Sequence, residues 1–360
     1  MDNLIVEILT TRRCHNSKGE LLFVSWLRDM LAKMEHAKVT SLDEGCILVD
    51  VGTPKKNKKI LFSCHVDTCH SGTESDGTPQ KLFFDSGLGH IFLDKSVPAG
   101  CLGADDGAGV YILLRMIEAK VPGSYIFHRG EEKGGVGARA VLAKQSAMLK
   151  SYSACIAFDR PNNDEVIVTQ GGQLCASTAY GQAICDLLKP EGLDFQVSHK
   201  GIFTDSKVYR GVIRECLNIG VGYGLQHTKD EYLDWEHLSK LTTACCKVDW
   251  SKLSPSRVIP VEVPQPAYQG ALQGVSRGQG MATQRDLYSN PFSTKGFPKA
   301  SDIALDLDDG SYWDFEAMSK DEIDDIVQDD VVTIAIMNVL VDLAAEKAKT
   351  EKYKQLLGIS

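Results

Sequence analysis

The sequence predicts an α/β fold, a mixed and mostly parallel sheet flanked by helices. Short apolar runs bounded by turn residues read as buried strands: Ile60–Cys64, Ser124–Phe127 and Tyr152–Phe158. Segments with apolar residues at helical spacing lie between them. Each of these runs leads into acidic or imidazole side chains, and open α/β sheets bind ligands at the carboxyl edge of their strands.

Residues 1–50 read as a helical cap. Leu21, Leu22, Trp26, Leu27, Met30, Leu31 and Met34 recur at helical spacing, and that face is expected in the core. Cys46–Val51 reads as a strand, and Pro54–Lys59 as a solvated basic turn. The strand from Ile60 ends at His65-Val-Asp67, with alternation placing His65 and Asp67 on one face. Lys81–Phe84 and His90–Leu93 form a hairpin. Val110 to Ile117 is a buried helix, entered through Gly103-Ala-Asp-Asp106. The strand 124–128 runs into Glu131-Glu132, and the strand 152–158 into Asp159. Residues 173–190 read as a helix and Leu217 to Val221 as a strand followed by His227. Leu238–Val248 is a closing helix.

From about Ser254 to Ala300 the chain is rich in Pro, Gln, Gly and Ser and reads as a linker. The segment 301–360 is acidic at first. Ser319-Lys-Asp-Glu322 matches a capping box, and a long helix is expected from Ile323 to Leu357. The expected units are therefore a catalytic domain at 1–253, a linker at 254–300, and an acidic segment with a C-terminal helix at 301–360.

The 360 residues carry 43% hydrophobic and 24% charged side chains, ordinary for a globular protein. A net charge of -9 argues against nucleic acid as a main partner, because phosphate binding needs a basic face. The N-terminus has no apolar leader, and the apolar run 331–341 is too short for a bilayer. A cytoplasmic protein without membrane attachment is expected. Eleven scattered cysteines fit reduced thiols. Cys64 and Cys69 flank His65, as a thiolate zinc site would, but no second pair sits at ligand spacing; the cysteines are read as mostly small core residues.

His65, Asp105, Glu131, Glu132, Asp159 and His227 together suit a pair of zinc ions, with manganese or cobalt as substitutes. A bridged ion pair activates water and polarises a carbonyl, and a nearby carboxylate moves the proton. That chemistry suits amide hydrolysis. No serine nucleophile elbow and no P-loop appears.

His65-Val-Asp67, Gly103-Ala-Asp-Asp106, Glu131-Glu132, Asp159 and His227-Thr-Lys-Asp230 resemble, in order, the motifs of the co-catalytic zinc exopeptidases. That superfamily holds the bacterial zinc aminopeptidases, peptidase T and the glutamate carboxypeptidases, and the resemblance covers roughly residues 1–250. It implies that His65 and Asp159 hold one zinc, Glu132 and His227 the other, and Asp105 bridges both. It implies Glu131 as general base, Asp67 as the group orienting His65, and a cis peptide between Asp105 and Asp106. Gly107 stands where the peptidase T and carboxypeptidase branch usually has lysine. Asp159 and His227 stand too close in sequence for a full inserted lid, which favours the lidless aminopeptidase branch. Asp205 is a candidate for binding a substrate amine or capping a helix, and His199 a candidate oxyanion contact or a surface residue. The expected activity is an aminopeptidase on short peptides, with a homo-oligomer built through the C-terminal helix. The alternatives are a related amidohydrolase, such as a deacylase or carboxypeptidase, or a silent member that binds protein partners.

Overall fold

A computed structural model of the protein describes residues 2–52, 59–96 and 99–259. Residues 54–58 of the expected basic turn, almost all of the linker, and the acidic segment with the C-terminal helix lie outside them.

In chain order the elements are α1 (Asn3–Thr10), α2 (Lys18–Ala32), β1 (Ala37–Ser41), β2 (Ile47–Val51), β3 (Ile60–His65), β4 (Leu82–Asp85) and β5 (His90–Leu93). Next come α3 (Ala104–Glu118), β6 (Gly123–His128), α4 (Val136–Leu149), β7 (Ala154–Arg160), β8 (Glu165–Ile167), β9 (Thr169–Gln170) and β10 (Gln173–Leu174). The rest are α5 (Thr178–Leu188), β11 (Gln196–Ser198), α6 (Asp205–Val208), β12 (Glu215–Gly220), β13 (Tyr223–Gly224), β14 (Tyr232–Asp234) and α7 (Trp235–Lys247).

Eight strands form one mixed sheet in the order β1-β2-β6-β3-β7-β12-β8-β11. Its centre is parallel at β6–β3, β3–β7 and β7–β12. Every residue of β3, β6 and β12 is buried, so these strands read as continuous apolar runs rather than alternating ones. One face carries Ile5, Leu27, Leu113, Ile184 and Leu241 from α1, α2, α3, α5 and α7. The other is covered by α4 and the segment around α6, through Val141, Leu149, Tyr209 and Ile213. Each fully buried Ile or Leu contributes about 1.5–3 kcal/mol. In α3 only Arg115 and Glu118 escape burial. A small antiparallel sheet, β13-β14-β5-β4, stands beside the main one.

Three expectations are corrected. Leu21 and Leu22 are 56% and 50% exposed; the buried stripe of α2 runs through Glu20, Phe23, Val24, Leu27 and Leu31 instead. The cap is not wholly helical, because β1 pairs antiparallel with β2 and extends the sheet. The helix expected over 173–190 starts only at Thr178, where Ser177 Oγ accepts from the Tyr180 N–H; Gln173 and Leu174 pair instead with β9. Between Asp159 and His227 the chain builds β8, β11 and β12 of the main sheet, and no separate lid unit appears among the described residues. No described helix is long and apolar enough to cross a membrane.

Candidate metal centre

The polar ends of β3, β6 and β7 meet at one edge of the sheet. Parallel pairing sets His65 opposite His128 and carries β6 straight into the Glu131-Glu132 turn. Asp159 sits near the end of β7, and His227 follows β13 with φ +60°.

Asp105 stands between two groups. Its Oδ1 lies 3.0 Å from His65 Nε2, and its Oδ2 lies 3.1 Å from His227 Nε2. His65 Nε2 is also 3.5 Å from Asp159 Oδ1, and His227 Nε2 is 3.0 Å from Glu132 Oε1. Ligand atoms of His65, Asp105 and Asp159 all lie within 4.8 Å of one another, as do those of His65, Glu131 and Glu132. The five side chains expected as ligands therefore converge, together with Glu131.

The electrostatics follow from crowding acids in a buried space. Burial pushes the Glu131 carboxyl well above the usual carboxylate range; His65 opposes this, while Asp159 and Glu132 add to it. Burial, opposed by His65 and reinforced by Asp105, raises Asp159 to about 6. For Asp105 burial is overcome by the two imidazoles, and its carboxyl falls below the usual range. The imidazoles move the other way: burial would lower both, yet neighbouring carboxylates hold His65 and His227 above the ordinary range. Mixed imidazole and carboxylate donors with this excess of acid fit divalent cations, which would offset the buried negative charge.

The chain around the ligands is tied down. Asp67 was expected to orient His65 through its carboxylate. Instead the Asp67 carbonyl takes the His65 Nδ1 hydrogen bond at 2.9 Å, and the carboxylate stands 3.7 Å away. That carboxylate accepts the backbone N–H groups of Gly130, Glu131 and Glu132 at 2.7, 3.2 and 3.3 Å. It thus shapes the turn that presents the paired glutamates. The Asp105–Asp106 peptide is cis, as the resemblance implied. Asp106 turns away from the ligands: its Oδ2 accepts from the His65 N–H at 3.1 Å and its Oδ1 from the Gly109 N–H at 2.8 Å. Only glycine fits at 109, since a Cβ there would collide with the Phe158 carbonyl and stand 2.5 Å from both Asp106 carboxylate oxygens.

No protein-family model matches the sequence, and no curated protein matches it. Solved structures do match by fold. The aminopeptidase PepT of Bacillus cereus superimposes with a TM-score of 0.55 at 15% identity, over 69% of this chain and 97% of that one. A tripeptidase of Staphylococcus aureus gives 0.55 at 13%, over 68% and 95%. PhTET1-12s, solved with a dodecamer in the asymmetric unit, gives 0.51 at 13%, over 68% and 98%. This chain shares the fold of these aminopeptidase and tripeptidase structures. About a third of it has no counterpart in those structures.

Several positioning residues carry no motif. Glu231 is buried and accepts four consecutive N–H groups: Leu102 at 2.8 Å, Gly103 at 3.0 Å, Ala104 at 2.8 Å and Asp105 at 3.1 Å. Burial and the charge of Asp105 still raise it to about 7. Asp159 is held by Thr204 Oγ1 at 2.6 Å and Tyr223 OH at 3.1 Å, while Asn218 brackets its backbone. Arg13, fully buried, donates to the carbonyls of Val66 at 2.8 Å and Gly103 at 3.4 Å, tying the two ligand-bearing loops to the N-terminal cap. Glu231 stands one residue past the His227–Asp230 motif, which was the one signal available for it.

Two candidates stand apart from the ligand cluster. Asp205 is 1% exposed and its Oδ2 faces His128 Nδ1 at 3.2 Å; it is the first residue of α6, and no side-chain cap bond forms there. His199 is exposed after β11 and hydrogen-bonds Thr169 Oγ1 at 2.8 Å. Cys64 is a core residue, as expected of the cysteines, but Cys69 is exposed and its Sγ donates to Glu132 Oε2 at 3.0 Å.

Proposed function

We propose that this protein is a two-zinc aminopeptidase that hydrolyses short peptides. The observation that carries the reading is the Asp105 carboxylate set between two donor groups, His65 with Asp159 and His227 with Glu132. A carboxylate shared in that way is the usual bridge of a co-catalytic pair. Manganese or cobalt would suit the same donors.

Bound there, the ions would supply Lewis acidity toward the scissile carbonyl and a water acidic enough to ionise near neutral pH. Glu131 acts as general base. Its carboxylate lies within 4.8 Å of the His65 and Glu132 ligand atoms, close enough to take a proton at the centre and hand it to the leaving amine. Asp67 keeps Glu131 and Glu132 aimed by fixing their backbone. Asp205, buried against His128, positions that imidazole in this proposal and does not meet the substrate amine. His199 is given no part in catalysis.

The aminopeptidase and tripeptidase activities named for the structural neighbours support the choice of peptides. The dodecameric neighbour supports self-association, which we include in the proposal. The test is Glu131→Gln. It is expected to keep both metal ions by elemental analysis and to lose turnover of free-amine peptides by about 100-fold or more, the size of a general-base contribution. A variant that hydrolyses peptides at the normal rate removes Glu131 as base.

A further inference from the structure

We propose that Cys69 is a fourth protein ligand, through its thiolate sulfur, on the half of the centre formed by His227, Glu132 and the bridging Asp105. The inference rests on the metal-centre reading above and adds to it a donor that the ligand motifs do not contain. Cys69 is part of a set of donors. Its Sγ, a Glu132 carboxylate oxygen and a His227 ring nitrogen all lie within 4.8 Å of one another, the same spacing that unites His65, Asp105 and Asp159. Sγ is already 3.0 Å from Glu132 Oε2.

The backbone makes this placement a built feature. Thr68, just before Cys69, is buried; its N–H bonds the Arg13 carbonyl at 3.0 Å and its Oγ1 accepts from the Arg13 N–H at 3.2 Å. His70, just after it, is buried between Thr68 Oγ1 at 2.7 Å and Gln80 Oε1 at 3.1 Å. With both neighbours pinned inward, Cys69 projects over the rim toward Glu132 and His227. The five-residue stretch His65–Cys69 would then serve both halves of the centre, with His65 on one and Cys69 on the other.

The chemistry distinguishes the two halves. His65, Asp159 and Asp105 offer only nitrogen and oxygen donors. The other half would add a sulfur donor, which softens that site and favours zinc and cobalt over manganese. Binding would release the thiol proton to solvent, leave sulfur bonded to the metal, and break the Cys69–Glu132 hydrogen bond, freeing that carboxylate oxygen.

The experiment loads the full-length protein with cobalt(II) alone and records its absorption beside that of Cys69→Ser, with metal content measured in both. The serine keeps a hydrogen-bond donor for Glu132 but lacks the sulfur. The expected result is a near-ultraviolet thiolate-to-cobalt charge-transfer band in the natural protein that is absent from Cys69→Ser, while the weaker visible cobalt bands persist in both. Zinc affinity of one of the two sites should fall roughly tenfold or more in Cys69→Ser. Two bound cobalt ions with no charge-transfer band, and unchanged zinc affinity in the variant, overturn the ligand and leave the metal centre standing. No bound cobalt overturns both.

Discussion

His70 directly follows Cys69, and its protonation state is set by the packing that pins this stretch. Gln80 gives both amide hydrogens to the carbonyls of Leu9 and Leu102, so its oxygen must accept from His70 Nε2. His70 Nδ1 then accepts from Thr68, and the ring is neutral. Burial, with Arg13 nearby, pushes its pKa down to about 4. The unfolded chain binds this proton below about pH 6.5 while the fold refuses it until about pH 4, so stability falls as pH drops through that window. At pH 5 the loss attributable to His70 is about 2 kcal/mol. Urea unfolding at pH 7 and pH 5 should show the natural protein losing that much more than His70→Gln; equal losses would refute the assignment. A histidine next to cysteine in a Gly- and Ser-rich stretch announces none of this. Its burial depends on Gln80 and Leu102, which reach it only through folding.

At the scale of elements, His65, Glu132, Asp159 and His227 sit at or just past strand ends and Asp105 in the first turn of α3, and two of these segments are held by carboxylates from elsewhere in the chain. Asp67 from the end of β3 fixes the turn after β6. Glu231, just before β14, fixes the loop entering α3, where its carboxylate also meets the positive end of that helix. Replacing Glu231 by glutamine would turn two acceptor positions into donors facing backbone N–H groups. Glu231→Gln is expected to lose about 3 kcal/mol of stability, since buried unpaired donors cost about 1–3 kcal/mol each, and to bind less metal. Chemical unfolding and metal analysis check this together, and a variant equal to the natural protein in both would show that the four bonds matter little. The His65-to-Asp159 and Glu131-Glu132 motifs were readable because paired acids after apolar runs are unusual. Glu231 was not, because a single glutamate in Lys229-Asp-Glu231 looks like any solvated turn.

Across the whole molecule, the ligands come from β3, the first turn of α3, the turn after β6, the end of β7 and the segment after β13. Ions bound there would join the carboxyl ends of the central strands and bind only the folded chain. Removing them with a chelator is therefore expected to lower the melting temperature by several degrees. A site held at 100 times its dissociation constant contributes about 2.7 kcal/mol. Calorimetry before and after dialysis against chelator measures it. An unchanged melting temperature, with metal analysis showing that ions were removed, would mean the centre does not stabilise the fold. The sheet itself needs no ions to explain its packing, since β3, β6 and β12 are buried along their whole length.

The sequence by itself determined the sheet's apolar centre, the order of the ligand-bearing loops and the residue types that meet there, because those depend on local runs and on chemistry written side by side in the chain. Tertiary structure alone decided that Leu21 and Leu22 face outward, that Asp205 is buried against His128, that the Asp67 carbonyl and not its carboxylate takes the His65 hydrogen bond, and that Cys69 leans toward Glu132. Each of these turns on differences of a few ångströms that only the folded chain sets. Periodicity places a side chain on a face, but it says nothing of what the opposite face brings to meet it.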